Sequence, residues 1–120
     1  MKTILIIEDD SLNLELFKNF LEMLGYDVAS AATATDGIEL ARELTPVLIL
    51  IDYRLRGDMD GIEAARIIKK DPNLVHVPLI IITAHERPGD KDRAFAIGCE
   101  GYMVKPIRMG ELKQVILELT

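Results

Sequence analysis

Polar residues that could do chemistry follow four separate apolar segments of this chain. Glu8 and Asp9 follow the first segment and Asp52 the third, while Thr83 and Lys105 follow the fourth and fifth. Ligands of open α/β sheets bind at the carboxyl ends of the strands. If these segments are parallel strands, the five side chains surround one site.

The three acids predict a divalent cation. Carboxylates crowded together either raise one another's pKa or recruit a cation, and hard oxygen ligands favour Mg²⁺, Ca²⁺ or Mn²⁺ over zinc. We expect Mg²⁺, for which Mn²⁺ or Ca²⁺ could substitute, because Mg²⁺ combines few carboxylates with water and a phosphate oxygen. The alternative is that such acids only cap the following helix, which we prefer for Asp10.

Two kinds of segment alternate along the chain. Continuous apolar or β-branched runs predict strands, two of them nearer the sheet edges, and apolar residues at helical spacing predict helices between the strands. The expected strands cover 4–7, 28–31, 47–51, 79–82 and 102–104. The helices are expected from Ser11 to Gly25, from Thr33 to before Pro46, after Asp60, from Pro88 to Gly98, and around 112–119. Five such units imply a doubly wound parallel α/β sheet with right-handed crossovers.

Composition restricts the function. The chain has 120 residues, a hydrophobic content of 49% and a formal charge of −6, which suits one globular domain spanning 1–120. An acidic surface without a basic patch argues against direct nucleic acid binding, and no apolar run reaches the roughly 20 residues of a membrane helix. Cys99 has no disulfide partner in the chain, so a cytoplasmic location is expected.

Five motifs in order resemble the response-regulator receiver domains of two-component signalling, across essentially the whole chain. They lie at 6–10, 50–53, 59–61, 82–84 and 101–106. The resemblance implies a flavodoxin-like (βα)5 three-layer sandwich with strand order 2-1-3-4-5. It also implies that Asp52 is the phosphoacceptor and that Asp9 and Asp52 bind Mg²⁺. Glu8 would act through water, and the backbone carbonyl of Arg54 would be a further ligand.

The same resemblance assigns the phosphoryl contacts. Lys105 and the Thr83 hydroxyl would contact the phosphoryl group together with backbone N–H groups of Tyr53 and Ala84. Pro106 would follow a cis peptide bond that fixes the direction of the Lys105 side chain.

Four residues are candidates for switching and for tuning. Thr83 would move toward the phosphoryl group and Tyr102 would turn inward behind it. The alternative is that Tyr102 is an ordinary strand residue whose hydroxyl lies in water. Arg54 and His85 flank the site and could set the phosphoryl lifetime.

Two segments receive a structural interpretation only. Arg56 stands where the family usually has proline, and its loop is one residue longer, so we expect a shifted loop with the Asp52 site retained. That shift puts in question the Arg54 carbonyl ligand and partner docking along this edge. The charged run 90–93 is interpreted as a solvated helix face.

The leading functional hypothesis is a signalling switch. A histidine kinase or phosphotransfer protein would pass the phosphoryl group of a phosphohistidine to Asp52, and a target protein would bind near 88–120, since no output domain is expected. The alternatives are a constitutive interaction module and a receiver excised from a hybrid kinase or multidomain regulator. An enzyme with a diffusible substrate is disfavoured, because haloacid-dehalogenase-type phosphotransferases carry a second acid where this chain has Arg54, and because there is no phosphate-binding loop.

Overall fold

The fold is an alternation of five strands and five helices. The computed structural model describes residues 2–57 and 59–120, so Met1 and one residue of the loop after Asp52, Asp58, lie outside the described part. The elements are β1 (Thr3–Ile7), α1 (Ser11–Met23), β2 (Asp27–Ala31), α2 (Ala34–Leu44), β3 (Leu48–Asp52), α3 (Gly61–Lys70), β4 (Leu79–Thr83), α4 (Asp90–Ile97), β5 (Gly101–Val104) and α5 (Met109–Leu119).

All strand pairs are parallel, in the order β2-β1-β3-β4-β5. This is the strand order implied by the resemblance. In the register, Ile7 lies opposite Ile51, and Asp52 lies opposite Ile82. The residues at the carboxyl ends of β1, β3 and β4 therefore lie side by side at one edge of the sheet.

Apolar side chains cover both faces of the sheet, as the continuous apolar runs predicted. On one face Leu5, Ile7, Ile49 and Ile51 pack against the helices α2 and α3. On the other face the alternate residues of the same strands, among them Ile6 and Leu50, pack with residues of α1 and α5. Each such fully buried side chain contributes about 1.5–3 kcal/mol, so the central strands form a rigid base for the residues at their ends.

Side-chain caps begin the helices that flank the site. Asp10 accepts the Leu12 N–H at 2.9 Å, and Asp60 accepts the Glu63 N–H at 3.0 Å. These bonds satisfy free donors of the first helical turn and fix where each loop from the sheet edge ends. The capping interpretation of Asp10 is therefore confirmed.

The fourth helix begins later than the sequence suggested. Pro88 is tolerated in a first helical turn, but it lies in a turn together with Gly89, whose φ of 87° is left-handed. Glycine adopts this conformation without steric cost, and the helix begins only at Asp90. The expected start at Pro88 is wrong by two residues.

Candidate functional site

The carboxylates of Glu8, Asp9 and Asp52 meet at the carboxyl edge of the sheet. Each offers an oxygen within 4.8 Å of the others. Glu8 and Asp52 are only 3% and 8% exposed, whereas Asp9 is half-buried. The Glu8 N–H donates to the Ala31 carbonyl at 3.0 Å, which continues the β1–β2 ladder beyond the strand. Three hard oxygen donors, two of them buried, form a set that fits Mg²⁺.

Lys105 is the cation that is hydrogen-bonded to both buried acids of this cluster. Its Nζ donates to Asp52 Oδ2 at 2.9 Å and to Glu8 Oε1 at 3.2 Å. Burial lowers the pKa of Lys105, but bonding and attraction to Asp52 and Glu8 outweigh burial and leave the pKa above its ordinary value. Lys105 therefore stays charged beside the carboxylates.

One positive charge does not neutralise the acids. Burial, followed by the hydrogen bond and repulsion from Asp52, raises the pKa of Glu8 to about 7, despite the opposing effect of Lys105. The cluster without metal is therefore short of positive charge, and a proton or a divalent cation can supply it.

The backbone around Lys105 fixes the direction of its side chain. The Lys105 N–H donates to the Thr83 carbonyl at 2.7 Å, and the peptide bond between Lys105 and Pro106 is cis. The loop after β5 is thus tied to the end of β4. This arrangement agrees with the cis proline that the resemblance implied.

The backbone N–H directed at the Asp52 carboxylate belongs to Arg54. This N–H donates to Asp52 Oδ1 at 2.9 Å. The N–H of Tyr53 instead donates to the Ile82 carbonyl at 2.8 Å, as part of the β3–β4 ladder. The expected Tyr53 N–H contact therefore does not fit this structure. The Ala84 N–H, on the opposite loop, has no partner within residues 2–57 and 59–120.

The start of α3 lies directly against the backbone of Asp52 and Tyr53. The Gly61 N–H donates to the Tyr53 carbonyl at 2.9 Å. A Cβ on Gly61 would lie 2.0 Å from the Asp52 carbonyl oxygen, so only glycine fits there. The Asp60-Gly61 pair thereby holds the residues that follow Asp52.

The two proposed switch residues occupy different environments. The Thr83 hydroxyl is buried, donates to the His85 carbonyl at 3.1 Å and accepts the His85 N–H at 3.3 Å. The Tyr102 hydroxyl is buried without a partner in the described part of the chain. The alternative that this hydroxyl lies in water is therefore wrong. Burial, and then the negative charges of Glu86 and Asp90, raise the pKa of Tyr102.

The loop after Asp52 reaches across to Asp9. The Arg56 N–H donates to Asp9 Oδ2 at 3.0 Å, and the Arg56 Nε lies 3.7 Å from the same oxygen. The Arg56 side chain is 94% exposed. The residue that stands in place of the family's proline thus contacts one of the candidate metal ligands.

Asp90 is the residue whose role the sequence did not reveal. The interpretation of 90–93 as a solvated face is wrong at this position, since Asp90 is 1% exposed. Its carboxylate accepts from Tyr53 OH at 3.1 Å, the Arg87 N–H at 3.0 Å and Arg93 Nη2 at 2.6 Å. Burial alone would raise the pKa of Asp90, but these three hydrogen bonds outweigh burial and place its pKa below the usual range.

The strand order and the acid–lysine cluster define an α/β domain of the receiver type. The chain belongs to the response regulator receiver domain family, whose sequence profile matches residues 4–117. Such domains are signalling switches in two-component systems rather than enzymes with a diffusible substrate. No helix in the described ranges is long and apolar enough to cross a membrane.

Individual relatives agree with this assignment. The chain is 36% identical, over 96% of its own length and 93% of the relative's, to the polar-differentiation response regulator DivK of Brucella ovis. A CheY-like receiver domain protein from Methanospirillum hungatei superposes with a TM-score of 0.91 at 30% identity, over 98% of this chain and 92% of that one. The receiver domain of a Pseudomonas aeruginosa sensor histidine kinase, solved with magnesium in its active site cleft, superposes at 0.89 and 30% identity, over 98% and 96%.

Proposed function

We propose that this chain is a phosphorylation-dependent switch that accepts a phosphoryl group on Asp52. The observation that carries the proposal is the surroundings of the Asp52 carboxylate. It lies at the end of β3, bonded on one oxygen by Lys105 and on the other by the Arg54 N–H, with Glu8 and Asp9 alongside. Two further acids within ligand distance of Asp52 are what a metal-assisted phosphoryl transfer to this carboxylate requires.

The chemistry required of this chain is charge neutralisation and positioning. A carboxylate oxygen of Asp52 attacks phosphorus, and the bond from phosphorus to the donor breaks as the new P–O bond forms. Lys105, the Arg54 N–H and the Ala84 N–H would contact the oxygens that carry charge during transfer. Mg²⁺ held by Asp9 and Asp52, with Glu8 acting through water and the Arg54 carbonyl as a further ligand, would offset the repulsion between two anionic reactants.

The donor and the output are proposed by analogy with the family. A phosphohistidine of a kinase or phosphotransfer protein is the expected donor, and a target protein is the expected reader. Thr83 would leave His85 and turn toward the phosphoryl group, with Tyr102 filling the space behind it, while Arg54 and His85 influence the phosphoryl lifetime. The exposed apolar residues Phe95 and Val104, 45% and 40% exposed, lie on the α4–β5–α5 face that a target would cover.

Mass spectrometry of the intact protein tests the proposal. The wild type is incubated with Mg²⁺ and acetyl phosphate, then weighed with and without prior EDTA treatment. One phosphoryl adduct is expected, dependent on Mg²⁺ and lost in Asp52→Asn. The exposed Asp27→Asn is the matched control and should still be modified. A folded wild type without any adduct would support the constitutive interaction module instead.

A further inference from the structure

The Asp90 carboxylate joins three parts of the structure around the phosphoacceptor. Tyr53, which follows Asp52 directly, donates its hydroxyl to Asp90 across 37 residues of sequence. The Arg87 N–H connects Asp90 to the loop after β4, and the Arg93 side chain connects it to the next turn of α4. A buried carboxylate with three donors is a fixed anion, because losing any one bond in a buried site is costly.

Arg54 is held only loosely beside this fixed anion. Its Nη2 lies 3.9 Å from Asp90 Oδ2, and its guanidinium lies 4.6 Å from the centre of the Tyr53 ring. The side chain is 39% exposed, so the guanidinium can move. The Arg54 N–H already contacts Asp52, and a phosphoryl group on Asp52 would be a second anion within the range of the same long side chain.

We propose that Asp90 is a positioning residue for phosphoryl turnover, which keeps the Arg54 guanidinium on the α4 side and leaves the phosphorus open to water. This inference rests on the proposed function. In hydrolysis the water oxygen bonds to phosphorus while the bond from phosphorus to the Asp52 oxygen breaks. The bonding electrons return to the carboxylate, and the proton of water leaves with the inorganic phosphate and solvent. An Arg54 guanidinium released toward the phosphoryl oxygens would obstruct that approach.

The expected changes have opposite signs for two variants. Asp90→Asn removes the anion that attracts Arg54, so the half-life of the aspartyl phosphate should lengthen about threefold, the size of a partly exposed ion-pair effect. Arg93→Gln removes the competing cation bonded to Asp90, so Asp90 should hold Arg54 more firmly and the half-life should shorten by about half. Asp92→Asn makes the same charge change on an exposed residue of α4 and should leave the half-life unaltered.

The experiment measures loss of the adduct by intact mass after acetyl phosphate is removed. Each variant is made alone and in an Arg54→Gln background, with circular dichroism as the check on folding. A role through Arg54 requires that the Asp90 and Arg93 effects vanish in that background, whereas a merely structural role would leave them in place. If Asp90→Asn fails to fold, the Arg93→Gln pair with and without Arg54 gives the same test.

The outcomes separate this inference from the proposed function. Equal half-lives for wild type and Asp90→Asn, shifts of the same sign for both variants, or shifts that persist with Arg54→Gln would each overturn the role of Asp90. Absence of any adduct on the folded wild type would instead contradict the proposed function.

Discussion

The charge crowding at Glu8 predicts that one neutral substitution stabilises the protein when metal is absent. Glu8→Gln keeps the shape of the side chain and an oxygen for Lys105 but removes one of the crowded charges. The pKa of Glu8 rises from 4.5 to about 7 on folding. Each pKa unit corresponds to about 1.4 kcal/mol, so ionising Glu8 in the folded state costs at most about 3.5 kcal/mol. A neutral amide accepts a weaker hydrogen bond from Lys105 than a carboxylate does, so the net advantage of Glu8→Gln is about 1–2 kcal/mol.

The pH window of the effect follows from the two pKa values. Below pH 4.5 Glu8 is protonated in both the folded and the unfolded state, so its charge costs nothing. As the pH rises through 7 the folded protein must lose this proton, and the wild type loses the corresponding stability. Glu8→Gln has no such loss, so its advantage over the wild type should appear between these pH values and be complete at pH 8.

Urea unfolding in EDTA at pH 5 and pH 8 measures the effect. We expect Glu8→Gln to be more stable than the wild type by about 1–2 kcal/mol at pH 8, equivalent to several degrees in Tm, with little difference at pH 5. The exposed Glu15→Gln is the control and should show no such pH dependence. Saturating Mg²⁺ should reverse the order, because the wild type gains more from metal binding. A Glu8→Gln protein less stable than the wild type at pH 8 in EDTA would refute the charge-crowding argument.

Three other substitutions test the surroundings of the site. Gly61→Ala puts a Cβ 2.0 Å from the Asp52 carbonyl oxygen, so urea unfolding should show a free energy of unfolding lower by about 2 kcal/mol. The control Gly110→Ala, where a Cβ would meet open space, should not be destabilised. Equal stabilities of the two variants would contradict the steric argument. Arg56→Ala removes a cation 3.7 Å from Asp9 Oδ2, so calorimetry should give about twofold tighter Mg²⁺ binding, whereas weaker binding would mean that Arg56 supports the site. Tyr102→Phe removes a buried hydroxyl without a partner among the described residues and should raise the free energy of unfolding by about 1 kcal/mol. A destabilised Tyr102→Phe would mean that the hydroxyl is bonded in solution.

The sequence predicted the strands and the grouping of the acids because both depend on local pattern. Residues 48–51 form a fully buried apolar run of strand length, which is typical of a strand inside a covered parallel sheet. Polar residues directly after such runs can only lie at the sheet edge, so the cluster of Glu8, Asp9 and Asp52 followed from topology. The same pattern predicted Lys105 at this edge, and the structure adds which acids it bonds, Asp52 at 2.9 Å and Glu8 at 3.2 Å.

The Tyr53 contact was assigned wrongly because it depends on which way a single peptide faces. Successive N–H groups of a strand point in opposite directions. The Tyr53 N–H points to Ile82 of β4, and the next N–H, that of Arg54, points at the Asp52 carboxylate. The sequence motif predicts the position of the turn after β3 to within one residue. Which N–H group faces the Asp52 carboxylate depends on the last hydrogen bond between β3 and β4.

Asp90 was missed for a different reason. A run of alternating charges at a helix start is typical of a solvated surface, and nothing within 90–93 indicates burial. The buried position of Asp90 depends on Tyr53, which lies 37 residues earlier in the chain. Tyr53 is 5% exposed, and its hydroxyl needs the acceptor that Asp90 provides. Tyr53, the residue after Asp52, and Asp90, the first residue of α4, are therefore linked by a buried hydrogen bond. A change at Asp52 that moves Tyr53 or Arg54 would alter the contacts of Asp90, and with them the start of the helix at one edge of the face proposed to bind a target.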